Sequence, residues 1–266
     1  MIKGLYTAYT GMVNQMNRLD VLTNNLANSA TTGFKKEGAT TQSFDKLYAV
    51  KIKDDSDYYL PKRLGKMSLG VKIGENYTDY GQGSINETGK PMDFALGDSG
   101  FFAIAFTNKA GETTMKLTRD GAFTLTKEGY LVTKDGDFVL NQAAAMAGNT
   151  GPGGRIRIDP TQPFTVDTDG AVYQNDARIA EIGTVDVADT DYLEKYGENL
   201  YQLVQGGQIV DSNAAMIQGA LEMANVNVVS EMVEMITVSR AYESNQKVIQ
   251  TIDTMIDKAV NQVGKV

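Results

Sequence analysis

Four stretches of this chain carry residue types that could do chemistry. Gly97-Asp98-Ser99-Gly100 sets a serine in the surroundings of a chymotrypsin-like nucleophile. The pairs Asp135/Asp137 and Asp167/Asp169 each offer two carboxylates, as a calcium site or a glycosidase requires. Gly151-Pro152-Gly153-Gly154 has the glycines of a phosphate-binding loop. None continues into a site. The chain has no histidine and no cysteine, so Ser99 lacks an imidazole base, and Ser-His-Asp triads, Cys-His pairs and ordinary zinc sites are excluded. Neither acid pair runs on into a twelve-residue calcium loop with its closing glutamate. Both sit on turn sequences, where Asp caps its own backbone. The glycine run has no Lys-Ser/Thr behind it and opens no helix. The expectation is no catalytic residue, no metal ligand and no cofactor.

The elements around these residues fall into a simple order. From residue 2 to about Asn28 the apolar positions Ile2, Leu5, Tyr9, Met12, Met16, Leu19, Leu22 and Leu26 recur at helical spacing. The segment then breaks at Ser29-Ala30-Thr31-Thr32-Gly33. From Asn225 to Val263 a second row runs through Val228, Met232, Met235, Val238, Tyr242, Asn245, Ile249, Ile252, Ile256, Ala259 and Val263, with no Pro or Gly. That is roughly 58 Å of helix at 1.5 Å per residue. Between about Leu69 and Tyr201 the period is two. Turn signals recur at Arg119-Asp120-Gly121, Lys127-Glu128-Gly129, Lys134-Asp135-Gly136 and Thr168-Asp169-Gly170, separated by β-branched and aromatic runs. Ala143–Gly154 reads as a surface loop, Asp191–Lys195 as one helical turn and Tyr201–Val204 as strand. The acidic run Asp54, Asp55 and Asp57 reads as a solvated loop. The fold class is α+β: helix, β-rich body, helix.

The formal charge of −8 argues against a nucleic-acid partner, which needs clustered Lys and Arg. Residues 1–35 carry +2 and residues 225–266 carry −1, so the middle holds −9. Nearly neutral striped ends suit packing against one another. Polar groups at Asn225, Asn227, Arg240, Asn245 and Gln246 interrupt the second stripe, as residues that fix register do. An intermolecular seam fits these ends better than an ordinary core. No stretch approaches the roughly 20 apolar residues that cross a bilayer, so no direct membrane insertion is expected. With no cleavable leader pattern in view, the expected localisation is cytoplasmic, or outside the cytoplasm by a route that leaves the N-terminus uncleaved.

Four ordered motifs then resemble one family. Asn24-Asn25-Leu26-Ala27-Asn28, Thr31 and Gly33-Phe34-Lys35 are similar to the N-terminal signature of the flagellar basal-body rod and hook proteins. Asn225-Val226-Asn227-Val228, Met232, Arg240-Ala241-Tyr242, Asn245 and Lys247 are similar to its C-terminal counterpart. Gln82-Gly83, Thr88-Gly89, Asp93, Ala95 and Gly100-Phe101-Phe102, then Thr118 to Phe123 with Gly129 to Val132, resemble its middle. Within the family the rod branch is the nearer, distal type before proximal. Gly97-Asp98-Ser99-Gly100 departs from the family's usual Gly/Glu alternation before the Phe pair.

The resemblance implies a bacterial structural protein, not an enzyme. It implies export through the flagellar type III apparatus and polymerisation with copies of itself and with other rod and hook proteins into a hollow helical shaft in the basal body. It also implies a domain plan. Residues 1–35 and 216–266 supply the two helices of a coiled-coil-like inner (D0) layer, 36–70 an extended linker with room for a β-hairpin, and 71–215 a β-rich outer (D1) domain. The expected polymer interface is the two apolar rows, and the expected signature positions are Asn24, Asn25, Ala27, Asn28, Thr31, Gly33, Phe34, Lys35, Asn225, Asn227, Arg240, Tyr242 and Asn245. A secreted β-rich adhesin or enzyme on a helical stalk is the competing reading.

Overall fold

A computed structural model describes residues 2–51, 62–197, 199–212 and 214–263. The acidic run at 54–57 lies outside them. The chain forms two units. One comprises Met1–Ala27, Glu37–Asp79 and Asn227–Val266; the other comprises Asn28–Lys36 and Tyr80–Val226. Among the described residues three α-helices occur: α1 (Ile2–Ala27), α2 (Gln142–Ala147) and α3 (Val228–Lys258), the last continuing as a π-helical turn over Ala259–Val263.

The first unit pairs α1 with α3 and lays β1 (Glu37–Ser43) and β4 (Val71–Thr78) beside α1. β1 and β4 are antiparallel, with a bulge between Ala39 and Thr41. A second antiparallel hairpin, β2 (Leu47–Lys51) with β3 (Lys62–Met67), is inserted between them in sequence. Thr10 and Asn14 are buried polar residues of α1 on the hairpin side. Asn14 donates to the Thr41 hydroxyl at 3.3 Å, and a Cβ on Gly70 would lie 2.1 Å from the Thr10 hydroxyl oxygen. The helix therefore packs two faces, with different chemistry on each.

The second unit is β-rich. It begins with β5 (Ile85–Glu87), β6 (Phe94–Leu96), β7 (Phe101–Thr107) and β8 (Thr113–Thr118). Three short strands follow: β9 (Thr124–Leu125), β10 (Leu131–Val132) and β11 (Phe138–Val139). After α2 come β12 (Thr165–Val166), β13 (Ala171–Gln174), β14 (Ala177–Glu181) and β15 (Thr184–Val187). The last are β16 (Leu193–Tyr196), β17 (Leu200–Leu203), β18 (Ile209–Asp211), β19 (Met216–Gln218) and β20 (Ala220–Glu222). The main sheet runs β16-β17-β8-β7-β11-β10-β9, and β15 joins β7 to β18. Central β7 is apolar from Phe101 to Phe106 and buried on both faces from Phe101 to Ala105. Phe102 and Ile104 enter one core with Phe94, Phe123, Leu131 and Ile156. Phe101, Ala103 and Ala105 enter another with Leu117, Val185 and Tyr201.

The turn signals at Lys127-Glu128-Gly129, Lys134-Asp135-Gly136 and Asp169-Gly170 close the hairpins β9–β10, β10–β11 and β12–β13. Arg119-Asp120-Gly121 closes none: the Asp120 carboxylate accepts the Ala122 N–H at 3.0 Å, and the chain passes to β9, which does not pair with β8. The expected surface loop over Ala143–Gly154 is also corrected. Residues 142–147 are helical, N-capped by Asn141 through the Ala144 N–H and closed by Gly148 at φ 64°. Asn141 and Gly148 are residue types that cap helices, but the small residues between them give no apolar row, although Ala144 and Ala145 cover the second core. The expected helical turn at 191–195 is a 3-10 turn over Thr190–Tyr192 that leads into β16.

Candidate assembly interface

The two terminal helices meet antiparallel in a seven-residue register. A Cβ on Gly4 would lie 3.7 Å from Ile252 Cδ1, and one on Gly11 3.1 Å from Asn245 Nδ2. Arg18 pairs with Glu234 at 2.7 Å, and Asn25 donates to Glu231 Oε2 at 3.2 Å. Gly4, Gly11, Arg18 and Asn25 are seven apart, and on α3 Ile252, Asn245, buried Val238 and Glu231 step back by the same interval. Ala8, Gln15 and Leu22 fill the same side of α1. Glycine and alanine at these steps let the helix axes approach closely, and that close packing is the source of cohesion there.

This register divides the predicted rows. On α3, Met235, Val238, Tyr242, Asn245, Ile249 and Ile252 lie on the α1 side and are buried or half-buried, whereas Val228, Met232 and Ile256 are exposed. On α1, Leu22 faces α3, but Leu5, Met12, Leu19 and Leu26 each follow an α3-facing residue by one position. One position is about 100° of helix, so these four sit on an adjoining flank, half-buried, with Tyr9 and Met16 exposed beyond them. The side chains of Ile2 and Val263 lie outside those described.

The first two turns of α3 are apolar on their outer side as well. Val229 is 72% exposed, Met232 50%, Val233 59% and Ile236 52%; on α1, Tyr9 is 55% and Met16 48% exposed. A groove of about 620 Å³ runs between the helices, lined by Gln15, Arg18, Val229, Val233, Val238 and Ala241. Val229, Val233 and Ile236 escaped the sequence reading because they lie off the single row it followed. The signal was present: six of the first nine residues of α3 are Val, Ile or Met.

Most signature residues are internal ties. In the helical unit Asn25 is fully buried; its amide donates to the Glu37 carbonyl at 2.8 Å and its carbonyl accepts the Glu37 N–H at 3.0 Å. Asn227 caps α3 by accepting the Ser230 N–H at 3.2 Å, with Glu231 in the first turn complementing the helix dipole. Asn24 and Arg240 are exposed.

In the β-rich unit the segment 28–36 threads into the body. Phe34 and Lys35 are 1% exposed. Lys35 Nζ donates to Glu222 Oε1 at 2.7 Å and to the Gly81 carbonyl at 2.9 Å. Arg119 Nη1 donates to Glu222 Oε2 at 2.9 Å, and the Gly83 N–H donates to Oε1 at 2.9 Å. Asn225 accepts the Lys36 N–H at 2.7 Å and donates to the Gly81 carbonyl at 3.0 Å. Gly33 has φ 71°, and a Cβ there would lie 2.4 Å from the Arg119 carbonyl carbon, so this position requires glycine. Thr31 bonds Asn28. Thus three motifs far apart in sequence converge on Glu222, a residue that carries no signal of its own in the chain, and the fourth joins them through Asn225 at the Gly81 carbonyl that Lys35 also bonds.

The chemistry-like residues stay apart. Ser99 donates to Asp186 at 2.8 Å on an exposed bend. Asp135 and Asp137 line a cleft of about 640 Å³ with Asp120, Lys134 and Asn199. Burial pushes the Asp137 carboxyl above its ordinary value, the Thr107 N–H opposes this, and Asp135 adds to it. Asp167 accepts from the Thr168 N–H within its turn. Among the described residues no three His, Cys, Asp or Glu side chains gather as a metal site. No described helix is long and apolar enough to cross a membrane.

Three stretches of the chain match families of known proteins. Residues 5–35 match the family described as flagella basal body rod protein. Residues 95–174 match the flagellar hook protein FlgE/F/G D1 domain, and 217–263 the flagellar basal body rod FlgEFG protein C-terminal region. The flagellar basal-body rod protein FlgF of Caulobacter vibrioides is 35% identical over 97% of this chain and 98% of its own length. The chain belongs to the flagellar basal-body rod family. The rod protein FlgG of Bacillus subtilis is 34% identical over 98% of this chain and 99% of its own, and the hook-basal body complex protein FlhO of the same organism is 30% identical over the whole of both. The chain is of FlgF or FlgG type, a structural rod subunit of the flagellar basal body and not an enzyme.

Proposed function

We propose that the chain polymerises with copies of itself, and in series with other rod and hook proteins, into a hollow helical shaft that carries torque from motor to hook. In the assembled rod, residues 1–35 and 216–266 supply a coiled-coil-like inner layer and 71–215 an outer one, with 36–70 bridging them. The subunit reaches the rod through the flagellar export apparatus. Distal rod position is preferred to proximal on the Asn-Val-Asn-Val and Arg-Ala-Tyr-Glu stretches.

The observation that carries this reading is the apolar surface left on the helical unit after α1 and α3 have packed together. Tyr9 and Met16 on one helix and Val229, Met232, Val233 and Ile236 on the other each leave about half or more of their surface uncovered within the unit. Burying each such side chain contributes roughly 1.5–3 kcal/mol, and exposed apolar patches of this kind mark interaction surfaces. An open polymer needs two different faces that meet; the flank of α1 and the outer turns of α3 supply them.

Val233→Asp and Ile236→Asp test it. Both side chains are exposed, so the monomer's stability should shift by no more than about 0.5 kcal/mol. Under polymerising conditions, electron microscopy should show tubes for the parent and none for the double variant. Tubes of ordinary length from the variant would refute the interface.

A further inference from the structure

We infer that the cleft around Arg155, Arg157 and Arg178 is a carboxylate-docking site that takes the acidic surface of a second copy of this chain; the inference rests on the self-assembly reading above. The segment Arg155-Ile156-Arg157-Ile158 alternates. Ile156 and Ile158 are buried in the first core, so the two arginines project from the opposite side, where their backbones bridge to Leu140 and Tyr130. Each guanidinium lies over a ring: Arg155 Cζ is 3.9 Å from the Phe138 centroid and Arg157 Cζ 5.9 Å from that of Tyr130. The two rings pack edge to face at 5.7 Å, so the cations share one rigid platform. Arg157 Nε also donates to the Glu128 carbonyl at 3.3 Å. Arg178 of β14 completes a cleft of about 530 Å³ with Asn141 and Gln142, and Glu181 pairs with Arg178 at 2.7 Å. Three cations thus face one carboxylate. Arg155 Nε is buried with no hydrogen-bond partner among the described residues.

Residues 80–226 hold 20 acidic and 10 basic side chains. Gathering three of those ten at one cleft sets like charges together, which an arriving anion relieves. Planar guanidinium forks match carboxylates. Forks already held on rings lose little freedom on binding, so the usual ordering cost is small. The partner chemistry is present on every copy: Asp189, Asp191 and Glu194 are exposed within six residues, beside exposed Tyr192. A basic cleft on one copy against an acidic surface on the next is a heterologous contact, as an open polymer requires.

The test is the full-length chain with Arg155→Gln, Arg157→Gln and Arg178→Gln together, its fold checked by circular dichroism. The critical concentration for polymerisation at low salt should rise about tenfold, and its dependence on salt should flatten. Poly-glutamate should inhibit assembly of the parent and leave the variant indifferent. A variant that assembles at the parent's concentration with the same salt dependence overturns the proposal, whatever other anion the cleft then binds. Val233→Asp run in parallel separates the two ideas. Loss of tubes there, with normal tubes from the arginine variant, removes the cleft and leaves the helical interface standing.

Discussion

Glu222 holds two cations at once in a site from which water is excluded, with Lys35 and Arg119 both inside 3 Å and all three side chains almost wholly covered. Removing the shared anion is worse than removing either cation, because it strands two buried charges. Glu222→Gln should therefore destabilise the β-rich unit by about 3–5 kcal/mol, read from urea unfolding. Lys35→Met, which leaves the Arg119 pair intact, should cost less; a larger loss from the lysine variant would contradict the hub. Asp137 behaves in the opposite sense. Its carboxyl is raised in the folded chain, chiefly by burial. The stability it contributes is thus present below the ordinary aspartate value and is lost as pH rises through the folded one. Asp137→Asn should raise the melting temperature at pH 7, by the equivalent of less than about 1 kcal/mol, and the gain should vanish below pH ~4. A gain that persists in acid would point to some other cause.

At the scale of elements, the α1–α3 contact depends on what is missing from α1. Gly11→Leu adds an apolar residue and improves helix propensity by nearly 1 kcal/mol. Yet the first added carbon already comes within 3.1 Å of Asn245. The helices must part, and overpacking of this kind costs about 1–3 kcal/mol. Lower helicity and an earlier melt by far-UV circular dichroism are the expected result; a more stable helical unit would show that the register is wrong. The same glycines explain how far the sequence could be read. Both terminal helices and the hairpins at Gly129, Gly136 and Gly170 were legible from period and turn chemistry. The face by which α1 meets α3 was not, because Gly4, Ala8 and Gly11 leave no hydrophobic signal where they allow the closest approach. The large residues one position on, from Leu5 to Leu26, advertised the neighbouring flank instead. Likewise α2 was hidden by Ala and Gly, and the Glu222 hub by the distance in sequence between its partners.

At the scale of the molecule, the two units differ in how much each encloses. The β-rich unit holds a dozen large side chains with almost no exposure, whereas most of α3 beyond Val238 is open to solvent. Limited proteolysis of the monomer should therefore cut within the helical unit first and leave a resistant fragment near residues 80–226, since local opening follows buried contact. Survival of α3 while the body is cleaved would reverse that ranking. The register of α1 on α3 also has a temporal side. Gly4 waits for Ile252 and Gly11 for Asn245, across a separation that spans nearly the whole polypeptide, so the helical unit has among the longest contact orders the chain allows. A ribosome must make the whole β-rich segment before α1 can meet its mate. In the interval α1 has only the β1–β4 hairpin beside it, and of the two helices it is the one that must wait.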